Sequence, residues 1–75
     1  MFLKIVKIEN DREIDNIYEC FDIQTTSSKD GYIFSLNREG SAENIAIVVN
    51  GETPRKIYIM NNQGKTIDRL FWKSK

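Results

Sequence analysis

Apolar residues in this chain fall into short runs with a period of two, separated by polar clusters of roughly four to eight residues. Residues 2–8 are dense in β-branched side chains and read as a strand. The alternation changes phase within it, Leu3 and Ile5 on one parity and Val6 and Ile8 on the other. That pattern calls for cover on both faces or for a bulge between Ile5 and Val6. Residues 9–13 form a polar reversal. Beyond it, Ile14, Ile17, Tyr18 and Phe21 stand at helical spacing, with Asn10 or Asp11 able to cap. Read as a strand, the same stretch puts Ile17, Phe21 and Ile23 on one face and Tyr18 and Cys20 on the other. Its Ile, Tyr, Cys and Phe are middling helix formers, and no Ala or Leu supports a helix. Strand is the preferred reading, and a helix near residues 11–21 is the alternative.

Residues 24–29, QTTSSK, offer no core-forming side chain, and Asp30-Gly31 supplies the chemistry of a turn into the next strand. In residues 32–37, Tyr32, Phe34 and Leu36 share one face, against Ile33 and Ser35. Arg38-Glu39-Gly40-Ser41 reads as a turn. Asn44–Asn50, NIAIVVN, is the most continuous apolar run and is expected to be a central strand covered on both faces. Asn50-Gly51 opens a reversal that Pro54 completes, just before a strand, where its missing N–H is harmless.

Residues 55–73 carry the strongest hairpin signal. Two apolar runs flank Asn62-Gln63-Gly64, with Gly64 suited to the left-handed position of a three-residue loop, a type I turn followed by a G1 bulge. That loop predicts a register in which Asn61 faces Lys65, Met60 faces Thr66, Ile59 faces Ile67, Tyr58 faces Asp68 and Ile57 faces Arg69. One face would carry Ile57, Ile59, Ile67 and Phe71, and the other Tyr58, Met60, Leu70 and Trp72. A single-layer sheet with a wet outer face has no use for the second set, so something should cover it.

The expected fold is all-β, a single domain spanning residues 1–75. About six short antiparallel strands would form a meander, curled into a two-layer sheet or a small barrel. An α+β fold with the helix near residues 11–21 is the alternative. At 75 residues with 40% apolar content, such a domain has a thin margin between core burial and ordering entropy. A lone cysteine, Cys20, excludes an internal disulfide, and with no histidine there is no thiolate–imidazole zinc site. Association, most simply as a homo-oligomer, is the expected remedy, and the zero net charge does not oppose it.

The same composition narrows the chemistry. Without histidine there is no Ser-His-Asp or Cys-His unit. The glycines stand singly at turns and make no phosphate-cradling loop. Asp11, Glu13 and Asp15 alternate like the start of a calcium loop but lack its glycine and distal glutamate. Cys20 lies between Glu19 and Asp22, which raise a thiol pKa rather than lower it. An enzyme is therefore not expected, nor is a cofactor. No window is apolar enough to span a membrane, the first residues lack a signal-peptide pattern, and the unpaired cysteine fits a reducing compartment. The expected location is the cytoplasm.

What remains is binding. Arg55, Tyr58, Arg69, Leu70, Trp72 and Lys73 are the candidate site residues. Aromatics beside arginine are the side chains enriched at interface hot spots, and basic groups, Lys56 and Lys75 included, surround them. A protein partner is the first expectation. The second is a nucleotide or single-stranded nucleic acid stacked on Tyr58 and Trp72, although the chain lacks the basic excess usual in nucleic-acid binders.

Ile, Lys, Asn, Phe and Tyr outnumber Ala, Gly, Pro and Arg by 32 to 11, the bias of an A/T-rich genome. With that bias, the segments IYEC (residues 17–20) and MNNQGKTIDRLFW (residues 60–72) and the turn-punctuated strands between them give the chain a resemblance to small proteins of phages and prophages of A/T-rich Gram-positive bacteria. The resemblance implies an accessory product of the host cytoplasm that binds and inhibits a host enzyme or defence factor, or sequesters a nucleotide; a virion component is a third, structural alternative. It brings no catalytic residues.

Overall fold

The computed structural model describes residues 1–38 and 44–73 of the chain. Its described residues form seven strands and no helix: β1 (Phe2–Glu9), β2 (Arg12–Glu19), β3 (Asp22–Ser28), β4 (Gly31–Asn37), β5 (Asn44–Asn50), β6 (Arg55–Met60) and β7 (Thr66–Trp72). All pairings are antiparallel. They make a four-stranded sheet in the order β2-β1-β6-β7 and a three-stranded sheet in the order β3-β4-β5. The fold is all-β, as the periodicity predicts, in the form of two sheets rather than a closed barrel. The turn expected at residues 38–41 lies largely outside the described residues.

The count is seven strands rather than six because the segment around residues 12–28 folds as two. Cys20 donates its N–H to the Met1 carbonyl at 2.9 Å, on the first sheet, and the next residue, Phe21, donates to Asn37 at 2.7 Å, on the second. The chain therefore changes sheets between neighbouring residues. Side-chain parity changes with it. Tyr18 and Cys20 face the core before this corner and Ile23 after it, while Ile17 and Phe21 stay exposed. The single face expected for Ile17, Phe21 and Ile23 is thus broken at the corner. β3 follows on the stretch that lacks core-forming residues, held by its ladder to β4.

The turns follow their residues. Asn10 and Asp11, with φ of 52° and 60°, form a two-residue loop between the paired Glu9 and Arg12. Two consecutive positive φ values are the mark of a type I′ hairpin turn. Between β3 and β4, Ser28 Oγ accepts from Asp30 N at 3.2 Å and lies 3.4 Å from the Gly31 carbonyl.

The core lies between the inward faces of the two sheets. Leu3 and Ile5 of β1 and Ile57 and Ile59 of β6 meet Phe34 and Leu36 of β4 and Val49 of β5, with Cys20 closing one end. The ladders of β1 to both neighbours run without a register shift. No bulge separates Ile5 from Val6, so the phase change within β1 puts Val6 and Ile8 on the outer face, where Val6 is buried and Ile8 half-buried. β5 differs from its expectation. Its apolar run suggested a central strand, yet it is the last strand of its sheet, and Val48 is 57% exposed.

Candidate functional site

The ladders of the four-stranded sheet fix which side chains share its outer face, because alternate residues of a strand point the same way. Three rows run across β2, β1, β6 and β7. Glu19, Phe2, Met60 and Thr66 make the first, Ile17, Lys4, Tyr58 and Arg69 the second, and Asp15, Val6, Lys56 and Phe71 the third. Tyr58 stands at the centre of this grid. Lys4 Nζ lies 6.0 Å from its ring centroid and 3.9 Å from Asp15 Oδ2. Lys56 reaches across β1 to Glu13, with Nζ 3.3 Å from Oε1. Beneath these long side chains Val6 is buried, and a shallow hollow of about 220 Å³ lies among Lys4, Val6, Lys56, Tyr58 and Met60.

Around the hollow the face is open, with apolar and charged side chains interleaved. Ile17 is 57% exposed, Ile67 55% and Phe71 53%, with Phe2, Tyr58 and Met60 half-buried between them. An antiparallel sheet that turns one face to water normally alternates to polar side chains there. Here Glu19, Lys4, Arg69, Asp15 and Lys56 follow that rule, and Ile17 and Phe71 depart from it.

The hairpin register departs from the sequence expectation by one residue. The loop is as predicted. Gly64, at φ 80°, donates to the Asn61 carbonyl at 3.0 Å, and Asn61 N donates to the Lys65 carbonyl at 2.9 Å. Asn61 Oδ1 also accepts from Gln63 N and Lys65 N, both at 3.0 Å. Met60 faces Thr66, but Ile59 then faces Asp68, Tyr58 faces Arg69 and Ile57 faces Leu70. Ile67 is the extra residue of a bulge. The proposed faces are corrected accordingly: Leu70 and Trp72 join Ile57 and Ile59 on the inner side, Phe71 joins Tyr58 and Met60 on the outer, and the bulged Ile67 is exposed. The observed register sets Leu70, rather than Arg69, opposite the fully buried Ile57.

The six candidate residues are therefore not one patch. Tyr58 and Arg69 are cross-strand neighbours on the outer face. Leu70 and Trp72 pack against the core. The indole of Trp72 meets Tyr32 edge-on, with centroids 6.1 Å apart, and its Nε1–H donates to the Gly51 carbonyl at 2.9 Å. Arg55 points inward opposite Trp72 and donates to the carbonyls of Asn50 at 2.6 Å and Thr53 at 3.1 Å. Lys73 is exposed just beyond β7, and Lys75 is outside the described residues. Sequence reasoning missed Ile17, Ile67 and Phe71 as surface residues, because each looked like core when its strand was read without the corner or the bulge.

A second concavity, of about 640 Å³, opens at the corner between β2 and β3, walled by Ile17, Glu19, Cys20, Phe21 and Arg38. Burial pushes the Cys20 thiol above its ordinary value of 9.0, and the carboxylates of Asp22 and Glu19 add to this against the opposing charges of the amino terminus and Arg38. Its Sγ lies 3.5 Å from the Met1 carbonyl oxygen. Among the described residues no group of three or more His, Cys, Asp or Glu is placed to hold a metal ion, and no helix is long and apolar enough to cross a membrane. No protein family, curated protein or solved structure matches the chain.

Proposed function

We propose that this chain is a non-catalytic protein-binding module whose contact surface is the outer face of the four-stranded sheet, centred on Tyr58. The observation that carries this reading is that the outer face exposes Ile17 at one edge of the sheet and Phe71 at the other, with half-buried Phe2, Tyr58 and Met60 on the strands between. Large aromatic and aliphatic side chains interleaved with lysine and arginine have the composition of an interface. Apolar patches that cross several strands mark sites of association. Lys4 and Lys56 keep their charges compensated by Asp15 and Glu13, which lowers the cost of covering them. The resemblance to phage-borne accessory proteins makes a bacterial host enzyme or defence factor the partner class to examine first.

The test compares wild type with a Tyr58→Ala/Phe71→Ala double variant as bait for bacterial proteins, with folding checked by near-ultraviolet circular dichroism. A partner held by wild type should bind the folded double variant roughly 30-fold more weakly or worse, since the loss of even one hot spot costs about 2 kcal/mol or more. Equal capture by both baits would sink the reading.

A second reading has its own observation. The concavity beside Cys20 is lined by both Arg38 and the exposed Phe21, and its size lies in the range of ligand pockets. A nucleotide could stack on the ring and pair its phosphate with the arginine. We set the nucleotide reading at Phe21 rather than Trp72, whose ring packs against Tyr32 and whose N–H is bonded to the Gly51 carbonyl. Saturating ligand stabilises a fold in proportion to RT ln(1 + [L]/Kd). Millimolar nucleotides should therefore raise the melting temperature of wild type but not of Phe21→Ser, and no shift in wild type removes this alternative.

A further inference from the structure

The four sheet edges of this protein are not treated alike. An edge strand presents unpaired N–H and C=O groups, and proteins that remain single protect such edges with charges, bulges or inward-pointing ionic groups. β2 carries Arg12, Glu13, Asp15 and Glu19. β7 has the bulge at Ile67, and Asp68 faces inward opposite Ile59. β3 carries Asp22 and is otherwise almost wholly hydroxyl and amide side chains. β5 has none of these protections. Between Asn44 and Asn50 it reads Ile-Ala-Ile-Val-Val, with no charge, no proline and no register shift in its ladder to β4. Its composition is that of a central strand, yet no described strand pairs with its other side. Ile45 and Ile47, on the parity that faces the core, remain half-buried, and only Val49 is fully covered.

The strand is also complementary to itself. Turned about a two-fold axis through Ile47, the sequence NIAIVVN sets Ile47 against Ile47, Ala46 against Val48, Ile45 against Val49 and Asn44 against Asn50. Apolar meets apolar at every inner pair, amide meets amide at the ends, and no like charges oppose each other. We infer that β5 pairs antiparallel with β5 of a second copy, joining two three-stranded sheets into one continuous six-stranded sheet. The pairing is isologous, so it closes on itself. The joined sheet ends at β3 on both sides, where polar side chains and Asp22 stop further addition, and assembly halts at the dimer. Continuing the sheet extends the inner row Ile45, Ile47 and Val49 across the axis and covers the half-buried pair. The inference does not rest on the outer-face reading, because β5 and that face belong to different sheets.

Sedimentation equilibrium of wild type at tens of micromolar should give twice the 8.8 kDa chain mass. The double variant Ala46→Lys/Val48→Lys sets lysine against lysine at both outward pairs. It should sediment as a monomer with an unchanged near-ultraviolet spectrum, its dimer dissociation constant raised at least about 100-fold. Ser35→Lys, one strand inward in the same row as Ala46, should leave the dimer intact, which separates edge pairing from stacking of sheet faces. In a Cys20→Ala background, Ile47→Cys should cross-link to itself under mild oxidation. Ala46→Cys should not, because its counterpart across the axis lies on the diagonal. A wild-type monomer at these concentrations, a dimer that survives the paired lysines, or self-linking at position 46 in place of 47 would each overturn the inference.

Discussion

Gly31 is the residue on which the second sheet depends. A Cβ added there would sit 2.1 Å from the Val49 carbonyl oxygen, and its φ is +150°. The obstruction is the backbone of β5, which cannot turn aside as a side chain could. Gly31→Ala should destabilise the protein by roughly 2–4 kcal/mol, the sum of strain and overpacking, read as a fall in the urea midpoint. Gly51 and Gly64, at φ +87° and +80°, have open space where a Cβ would go. Alanine at either should cost about 1 kcal/mol, from the left-handed backbone alone. Equal losses at all three positions would refute the steric argument. Cys20 gives a pH signature. Its folded thiol holds its proton above the ordinary value of 9.0, first because it is buried. The folded state therefore binds that proton more tightly than the unfolded chain. The resulting stability is fully present below the unfolded pKa and is lost as pH rises through the folded one. Above about pH 9 the stability of wild type should fall more steeply than that of Cys20→Ala, and parallel curves would show that the thiol is not linked to folding.

At the scale of elements, the β7 bulge decides which residues are core and which are surface. Removing Ile67 would leave every other pair of the hairpin where it is, from Met60 with Thr66 to Arg55 with Trp72. A single-residue deletion inside a strand normally flips all later side chains to the opposite face. Here it should not. The Ile67 deletion should fold, keep the near-ultraviolet signal of Trp72, and change stability by no more than about 1 kcal/mol, because the lost side chain is exposed. Deleting Phe71 instead would turn Trp72 away from Tyr32 and Gly51 and should abolish that signal. If both deletions behave alike, the bulge is not at Ile67. The same element shows what the sequence made legible. The β6 and β7 strands and the facing of Tyr32, Phe34 and Leu36 follow from alternation, whereas β2 rested on strand propensity against a competing helical spacing. The corner at Cys20 and Phe21 does not, because a strand that changes sheets shifts its inward parity without a glycine or proline to mark the place. β3 was hidden for a different reason: its polar residues are held by a ladder to β4 rather than by burial. Of the six candidate residues only Tyr58 and Arg69 are cross-strand neighbours on the outer face in the true register. Leu70 and Trp72 turned inward with the one-residue slip.

Across the whole molecule, the order of strands in the chain is not their order in the sheets, and this sets how the protein can fold. β3, β4 and β5 are consecutive and pair with their neighbours, as do β1 with β2 and β6 with β7. Only the β1–β6 ladder, from Phe2 with Met60 to Lys7 with Arg55, joins segments roughly fifty residues apart. The three-stranded sheet is thus assembled from local hairpins inside the one long loop that β1 and β6 must close. Closing that loop costs entropy before any of its contacts compensate. Forming β3–β5 first shortens the effective loop and supplies Phe34, Leu36 and Val49 as the surface on which Leu3, Ile5 and Ile57 can dock. The expected transition state therefore contains the three-stranded sheet, while the β1–β6 ladder forms late. Val49→Ala should slow refolding by most of its equilibrium effect, whereas Ile57→Val should act mainly by speeding unfolding. Stopped-flow refolding and unfolding across a urea series measure both arms. If Ile57→Val instead carries the higher fraction of its effect in the folding rate, loop closure comes first and the nested order is reversed. A change of protein concentration separates this from dimerisation through β5: the folding arm of a single chain is independent of concentration, and a step that joins two copies is not.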